Sequence, residues 1–462
     1  MTRILCVDFG STYTKAALVD VDSGALVATA SHSTTIGTDL MDALDVLRAR
    51  LAERTGERPT WEVRACSSAG GGLRVAVVGN EQLVTSEAGH RVALSSGGRV
   101  VAVVSGTLDA TVVTELRAAR PDVVLLVGGT NGGNTRVLRA NAQALAATGD
   151  ATPVVVAGNA SCQAEVAAVF EQAGTPCVVA DNVLPEIGVV CPGPARAAIR
   201  EMFVRHVIGG KHLSRQEEFV RIVRGATPDL VLRGVEVLAG TQQGAGVAVV
   251  DVGGATTDVH SVVELDPEDA NLRREVVSTL PASRTVEGDL GVRWNAAGIV
   301  EAAVKEGLLA GGEEPALRSA ARPRIAEPGL DAGSPGEQSL DQRLAILAVK
   351  VALRRHSGRA QVVVSSGNRL VERTGKDLRE VTLLVGSGGV LRHAKPREAH
   401  TLLAAALDGH GAGAWLLPEG PRLVVDRAYV LAAVGLLADD YPEVAVALAI
   451  QLEHLGDTHV PA

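Results

Sequence analysis

The chain has 462 residues, of which 46% are apolar and only 2% aromatic, and its formal net charge is -9. That length suits two or three domains rather than one, and the acidic balance argues against a nucleic-acid or anionic-membrane surface. With so few rings the cores must be built from Val, Leu and Ala, which suits α/β layers with Val-rich parallel strands.

Taken in chain order, residues 3–31 read as three extended segments. The first two are joined by Asp8-Phe9-Gly10-Ser11-Thr12-Tyr13-Thr14-Lys15. A helix over 39–54 follows, with Leu40, Ala43, Leu44, Leu47 and Leu51 on one face. This order opens a first lobe expected over 1–98. From 99 to 182 the texture changes. Val-rich strands at 100–104, 123–127, 154–157 and 177–180 alternate with helical stretches such as 108–119 and 136–147, which predicts an inserted parallel α/β subdomain. Residues 183–245 are expected to return to the first lobe through connecting helices.

The second lobe, 246–462, opens with the apolar run 247–250 leading into Asp251-Val252-Gly253-Gly254-Ala255-Thr256-Thr257-Asp258. Within it, 311–338 is dominated by Pro, Gly and charge, and is expected to be a loop or a disordered excursion. A helix over 340–356, strands at 361–365 and 381–385 and a C-terminal helix complete the expected lobe. No apolar run approaches the roughly 18 residues of a membrane span, and a strand pattern follows the N-terminus directly, so a cytoplasmic location is expected. Cys6, Cys66, Cys162, Cys177 and Cys191 contain no C-x-x-C pair, which speaks against a disulfide framework and a zinc knuckle.

The two Asp-Gly segments repeat one design: strand, tight turn, strand. Gly10, Ser11 and Thr12 in the first, and Gly253, Gly254, Thr256 and Thr257 in the second, allow the backbone to approach a ligand, and the turn amides form a nest for anionic oxygens. A bare carboxylate would repel a polyphosphate. Asp8 and Asp251 therefore make sense if Mg²⁺ sits between carboxylate and phosphate, with Lys15 neutralising charge and Asp258 closing the second segment. Neither segment is a Walker loop, because the turn returns into a strand. One Asp-x-Gly turn alone joins strands in many proteins that bind nothing; the pair, at the starts of two similar blocks, points to ATP gripped from both sides.

A third stretch, Gly386-Ser387-Gly388-Gly389, runs from a strand into a helical pattern. Such a turn lets a flat base or a phosphate lie against the backbone, or else serves packing. In Thr285–Arg293, Glu287 and Asp289 either sit at a helix start beside the positive dipole end, or supply a carboxylate that orients an attacking water; Glu287 is the better catalytic candidate. The turns 128–134 and 66–72 lack the carboxylate or lysine of a phosphate site and read as partner contact or loop geometry. Asp408-Gly409-His410-Gly411-Ala412-Gly413 matches the D-x-H-x-x-G pattern with which base-off cobalamin proteins offer a histidine to cobalt. No serine follows Gly413 and 400–407 look helical, so the match is read as chance.

The paired hairpins and the later glycine turn resemble the actin, sugar-kinase and heat-shock chaperone superfamily, whose duplicated ribonuclease-H-like domains close over ATP. The hairpin residues 7–15 and 251–258, the runs 66–72, 126–130, 156–159, 287–291 and 386–389, and the 423–430 segment together resemble one family more closely. This is the family of MutL-type accessory proteins of adenosylcobalamin-dependent glutamate (methylaspartate) mutase. That resemblance implies an ATPase, with ATP and Mg²⁺ as cofactors, that reactivates a cobalamin radical mutase by helping to expel damaged cofactor. It implies mutase subunits as partners and a homo-oligomer as a possibility. The residues independently support the ATPase half. A small-molecule kinase of the same superfamily is the second reading, although no acidic base for a substrate hydroxyl stands out. An iron–sulfur activator would need closely placed cysteines, and Cys162, Cys177 and Cys191 are scattered.

Overall fold

The computed structural model describes residues 2–35, 38–68, 73–81, 86, 88–89, 92–93, 99–203, 215–242, 244–264, 281–330, 333–365, 368–408 and 415–456. β1 (Arg3–Phe9), β2 (Tyr13–Asp20) and β3 (Ala25–Ser33) form an antiparallel meander in which Asp8 faces Lys15 across the first hairpin. Its turn requires glycine: a Cβ on Gly10 would lie 2.6 Å from the Tyr13 carbonyl oxygen. The Leu40–Thr55 helix follows. Asp39 accepts from the Met41 N–H at its start, and Gly56 ends it at φ +69, as the polar and glycine positions dictate. β4 (Glu62–Ser67) then lies parallel to β1.

β5 (Arg74–Gly79), β6 (Arg99–Ser105), β7 (Val123–Leu126), β8 (Val154–Val156) and β9 (Cys177–Val179) make a separate, wholly parallel sheet in the order β6-β5-β7-β8-β9. Counted from β5 this is the doubly wound 2-1-3-4-5 arrangement. The sheet thus takes in residues 74–79, ahead of the stretch from 99 where the sequence texture changes. Alternate residues of each strand enter different cores. Val75, Val77 and Leu125 join the core of the first lobe, whereas Ala76, Val78 and Leu126 pack beneath the outer helices. The insert is therefore fastened to the first lobe along a whole sheet face.

β10 (Val223–Ala226) pairs with β4 and completes the first sheet, β10-β4-β1-β2-β3. The second sheet is built from β11 (Gly246–Val252), β12 (Thr257–Val262) and β13 (Ala282–Glu287). After a separate hairpin of β14 (Arg359–Ser365) and β15 (Asn368–Thr374), it adds β16 (Val381–Ser387) and β17 (Arg422–Val425). Its order is β13-β12-β11-β16-β17. Counted from its own first strand, each sheet reads 3-2-1-4-5, with an antiparallel meander followed by two parallel strands. The chain is a two-lobed, duplicated α/β protein with the sheet orders of an actin-like fold, as the paired hairpins predict.

A third core joins the lobes. Ile4, Cys6 and Val19 of the first sheet and Val247, Val249 and Leu383 of the second pack on the Thr227–Gly240 and Leu431–Leu437 helices. These two helices cross at Gly234 and Gly435, where a Cβ on Gly435 would sit 1.8 Å from the Leu230 carbonyl oxygen.

One expectation needs correction. Much of 311–338 is helical: Glu313–Ala326 is a helix, and the next, Pro335–His356, begins at a Ser334 cap that accepts from the Glu337 N–H. The charges that suggest solvent form a buried pair instead. Arg324, 1% exposed, donates to Asp341 at 2.6 Å and Glu337 at 2.8 Å, and Pro323 falls in the last turn, while Pro335 sits at the start, where its missing N–H costs nothing. Among the described residues no helix is long and apolar enough to cross a membrane.

Candidate functional site

The two hairpin turns meet across the space between the lobes. A Cβ on Gly254 would stand 2.9 Å from Thr12 Oγ1, so the second turn approaches the first within contact distance. Around them opens a cleft of about 1110 Å³. Its walls include Asp8, Gly10, Ser11, Thr12 and Lys15 from the first lobe, Asp251, Gly253, Gly254, Thr256 and Asp258 from the second, and Gly388 and Gly389 from the turn after β16.

Four other candidates stand behind these walls. Thr257 is fully buried and donates to the Leu290 carbonyl at 2.6 Å. Gly386 lies against Leu391 and Leu403, and Ser387 faces Asp251 across the β11–β16 ladder, with a side-chain hydrogen bond to it. Glu287 is bonded to Arg355 at 2.7 Å, and the same guanidinium takes Asp289 at 2.7 and 2.9 Å. Burial raises the Glu287 pKa while Arg355 opposes it.

The 287–293 run also braces the second turn. The N–H groups of Val292, Arg293 and Trp294 donate to the carbonyls of Gly253 and Gly254, and Arg293 is held by both oxygens of Asp341 at 3.1 and 3.0 Å. Gly291 makes this approach possible, since a Cβ there would lie 2.3 Å from the Ala255 carbonyl.

Asp8 is 5% exposed and accepts from Thr227 Oγ1 at 2.5 Å, with Lys15 Nζ at 3.5 Å. The same ammonium lies 3.5 Å from the centre of the Tyr429 ring, and the Tyr429 hydroxyl reaches Asp251 at 3.4 Å. Tyr429 has φ +59, a left-handed backbone unusual for an aromatic residue, and burial raises its pKa, so the phenol stays protonated. It links the lysine of one lobe to the aspartate of the other.

Burial raises the Asp251 pKa, with Lys15 pulling the other way, and its Oδ1 is buried without a hydrogen-bond partner. Burial likewise pushes Asp258 up to about 6, against the pull of Arg284 at 3.4 Å. His260, cross-strand to Arg284, is kept neutral by burial, its pKa well below the usual histidine range.

A polyphosphate and a hard cation fit this wall. Asp8 and Asp251 offer two carboxylates, one with an orphaned oxygen, and no group of three His, Cys, Asp or Glu among the described residues makes a complete metal cage. That is the donor set for Mg²⁺, which takes one or two carboxylates and completes its shell with phosphate and water.

Thr227, His260, Arg284 and Asn295 are cleft residues outside every quoted motif, and Tyr429, although within the 423–430 segment, is not marked there as a site residue. The one available signal was the Thr227-Pro228-Asp229 helix start. The remaining candidates lie elsewhere. The 128–134 turn ends β7 and is tied by Asn182 to Gly129 and by Asn159 to Gly133, away from the cleft wall. Ala69–Gly72 of the 66–72 turn, and all of the D-x-H-x-x-G segment after Asp408, are outside the described residues. All five thiols are free, and burial pushes Cys6 up to about 12 and raises Cys66 well above its ordinary value, so neither is a ready nucleophile.

A family model described as MutL protein matches residues 4–452. Protein MutL of Clostridium tetanomorphum is 36% identical over 454 residues, covering 96% of this chain and 98% of the relative. Among solved structures, nucleotide-free acetone carboxylase gives a TM-score of 0.42 at 14% identity, over 94% of this chain and 70% of that one. The activator of 2-hydroxyisocaproyl-CoA dehydratase from Clostridium difficile with bound ADPNP gives 0.32 at 10%, over the whole of both chains. At such scores the fold rests on the sheet orders themselves.

Proposed function

The chain belongs to the MutL protein family, and from that premise we propose that it is an ATP-dependent reactivating chaperone of an adenosylcobalamin-dependent mutase. The observation that carries the nucleotide half is the meeting of the two turns, with Gly254 against Thr12, and Asp8 and Asp251 on the wall of one cleft. In this reading Gly10, Ser11 and Thr12 face the phosphates from one side, and Gly253, Gly254 and Thr256 from the other. Asp8 and Asp251 hold Mg²⁺ directly or through water. Thr227 and Lys15 keep the Asp8 carboxylate oriented, and Gly388 and Gly389 lie beside the nucleoside. When bound, Mg²⁺ supplies charge neutralisation between carboxylate and phosphate oxygens. Glu287 keeps its proposed role of orienting a water only if Arg355 releases it.

The mutase half rests on family membership and on the insert. Partner docking on the 2-1-3-4-5 sheet, which shares a core with the first lobe, would transmit lobe movement to the partner. The test mixes the protein with a glutamate mutase carrying hydroxocobalamin, Mg·ATP and fresh adenosylcobalamin. Mutase activity is expected to return with the wild type and not with Asp251→Ala. Equal recovery without nucleotide would remove the ATP-driven reading. A burst of ADP that depends on a small metabolite, with no protein partner present, would favour the kinase alternative.

A further inference from the structure

Among the described residues, Arg284 on β13 is a buried charge left with several donors unmade. It is 3% exposed, yet its Nε and Nη1 are buried without hydrogen-bond partners, and its sole carboxylate contact is a 3.4 Å approach of Nη2 to Asp258. Asp258 Oδ1 is unpartnered as well. A guanidinium presents five N–H donors in a planar fork, and leaving several of them buried and unmade is costly. Both residues line the cleft.

The position of Arg284 in the sheet says what the fork faces. The neighbours run β16, β11, β12, β13, so β13 stands three strand spacings from β16, about 14 Å across. Gly388 and Gly389 follow β16, the turn proposed to face the phosphates joins β11 to β12, and Arg284, opposite His260, reaches toward that turn as far as Asp258, which is cross-strand to Asp251. A ligand with its nucleoside end at β16 and its phosphates at the turn runs out toward β13.

We propose that Arg284 binds the terminal phosphoryl group of a nucleoside triphosphate, exchanging its long contact with Asp258 for phosphoryl oxygens, and so makes the cleft prefer a triphosphate over a diphosphate. This rests on the nucleotide reading above. A phosphoryl group is the anion that a planar fork matches with paired hydrogen bonds.

Calorimetric titration of Mg·ATP and Mg·ADP into the wild type and Arg284→Gln tests it. The preference for ATP is expected to fall by about tenfold or more in the variant, the scale of a hydrogen bond to a charged group, with little change for ADP. An unchanged ratio overturns the proposal while leaving the nucleotide site intact, whereas no binding of either nucleotide by the wild type removes both. Arg284→Gln with Asp258→Asn leaves no unpaired charge and serves if the single variant fails to fold. A crystal structure of the wild type with a non-hydrolysable ATP analogue gives a reading independent of any variant. A guanidinium nitrogen within hydrogen-bond distance of the terminal phosphoryl oxygens is expected, and Arg284 still resting on Asp258 alone would overturn the proposal.

Discussion

Asp8 and Asp251 occupy equivalent places in the two hairpins, but their cross-strand partners differ in sign: Asp8 faces Lys15, and Asp251 faces Asp258. The duplication has thus kept the carboxylates and made the rest of the site asymmetric. Asp8→Ala and Asp251→Ala are each expected to abolish ATP turnover, and unchanged Mg·ATP affinity and turnover in both would sink the site. Lys15→Ala removes the cation that Asp8, Asp251 and the Tyr429 ring share, and is expected to weaken Mg·ATP binding about tenfold or more, as for a charge-assisted hydrogen bond.

Buried histidines should shape the response to acid. His356, held between Ser261 and Thr285, is lowered to about 3, and His260 falls well below 6.5. A base depressed on folding contributes stability that is complete above its unfolded pKa and is lost as pH falls, by about 1.4 kcal/mol per pH unit for each group. Asp258, raised to about 6, acts in the opposite sense. Its contribution is present below the unfolded value and is lost as pH rises through 6. Burial of a neutral His356 by itself lowers stability from pH 6.5 to 5, while Asp251, Glu287 and Asp426, raised by burial like Asp258, act against it. His356→Gln is expected to flatten that fall, read as the difference in urea midpoint between pH 7 and pH 5. Equal falls in wild type and variant would refute it.

At the scale of elements, the Glu313–Ala326 helix shows how charged composition misleads. Arg324, in its last turn, points inward to Asp341, which also grips Arg293, whose backbone N–H donates to the turn carbonyl of Gly254. One carboxylate ties a helix, a helix start and the turn of the second hairpin together. Arg324→Ala is expected to cost about 3 kcal/mol, near the low end for breaking a buried pair because Asp341 keeps Arg293. Urea denaturation measures this cost, and a loss below about 1 kcal/mol would place the pair among surface bridges. Nucleotide affinity should fall with it if the turn loosens.

For the whole molecule, the lobes share the core around Gly234 and Gly435, and the insert is fixed to the first lobe through Val75, Val77 and Leu125. A nucleotide contacting both lobes shifts their relative populations only by its difference in affinity for the open and closed forms. Small-angle scattering is expected to give a smaller radius of gyration with a non-hydrolysable Mg·ATP analogue than with Mg·ADP. Identical radii would rule out lobe closure as the lever that acts on a partner.

The sequence by itself determined the two hairpins, their glycines, the Asp39-capped helix and the alternating strands of the insert, because each depends on local chemistry: turn geometry, caps and the period of apolar residues. The repeat of one hairpin was enough to establish a duplicated two-lobed fold. Only the tertiary structure decided that strand 74–79 belongs to the insert's sheet, that Arg324 is buried rather than solvated, and that Thr227, Arg284 and Tyr429 join Asp8 and Asp251 at one cleft. These residues lie far apart in the chain. The helix start at Thr227 and the 423–430 segment mark local structure but not a shared site, since the meeting of these residues is fixed by strand register, sheet order and the crossing of two helices at Gly234 and Gly435.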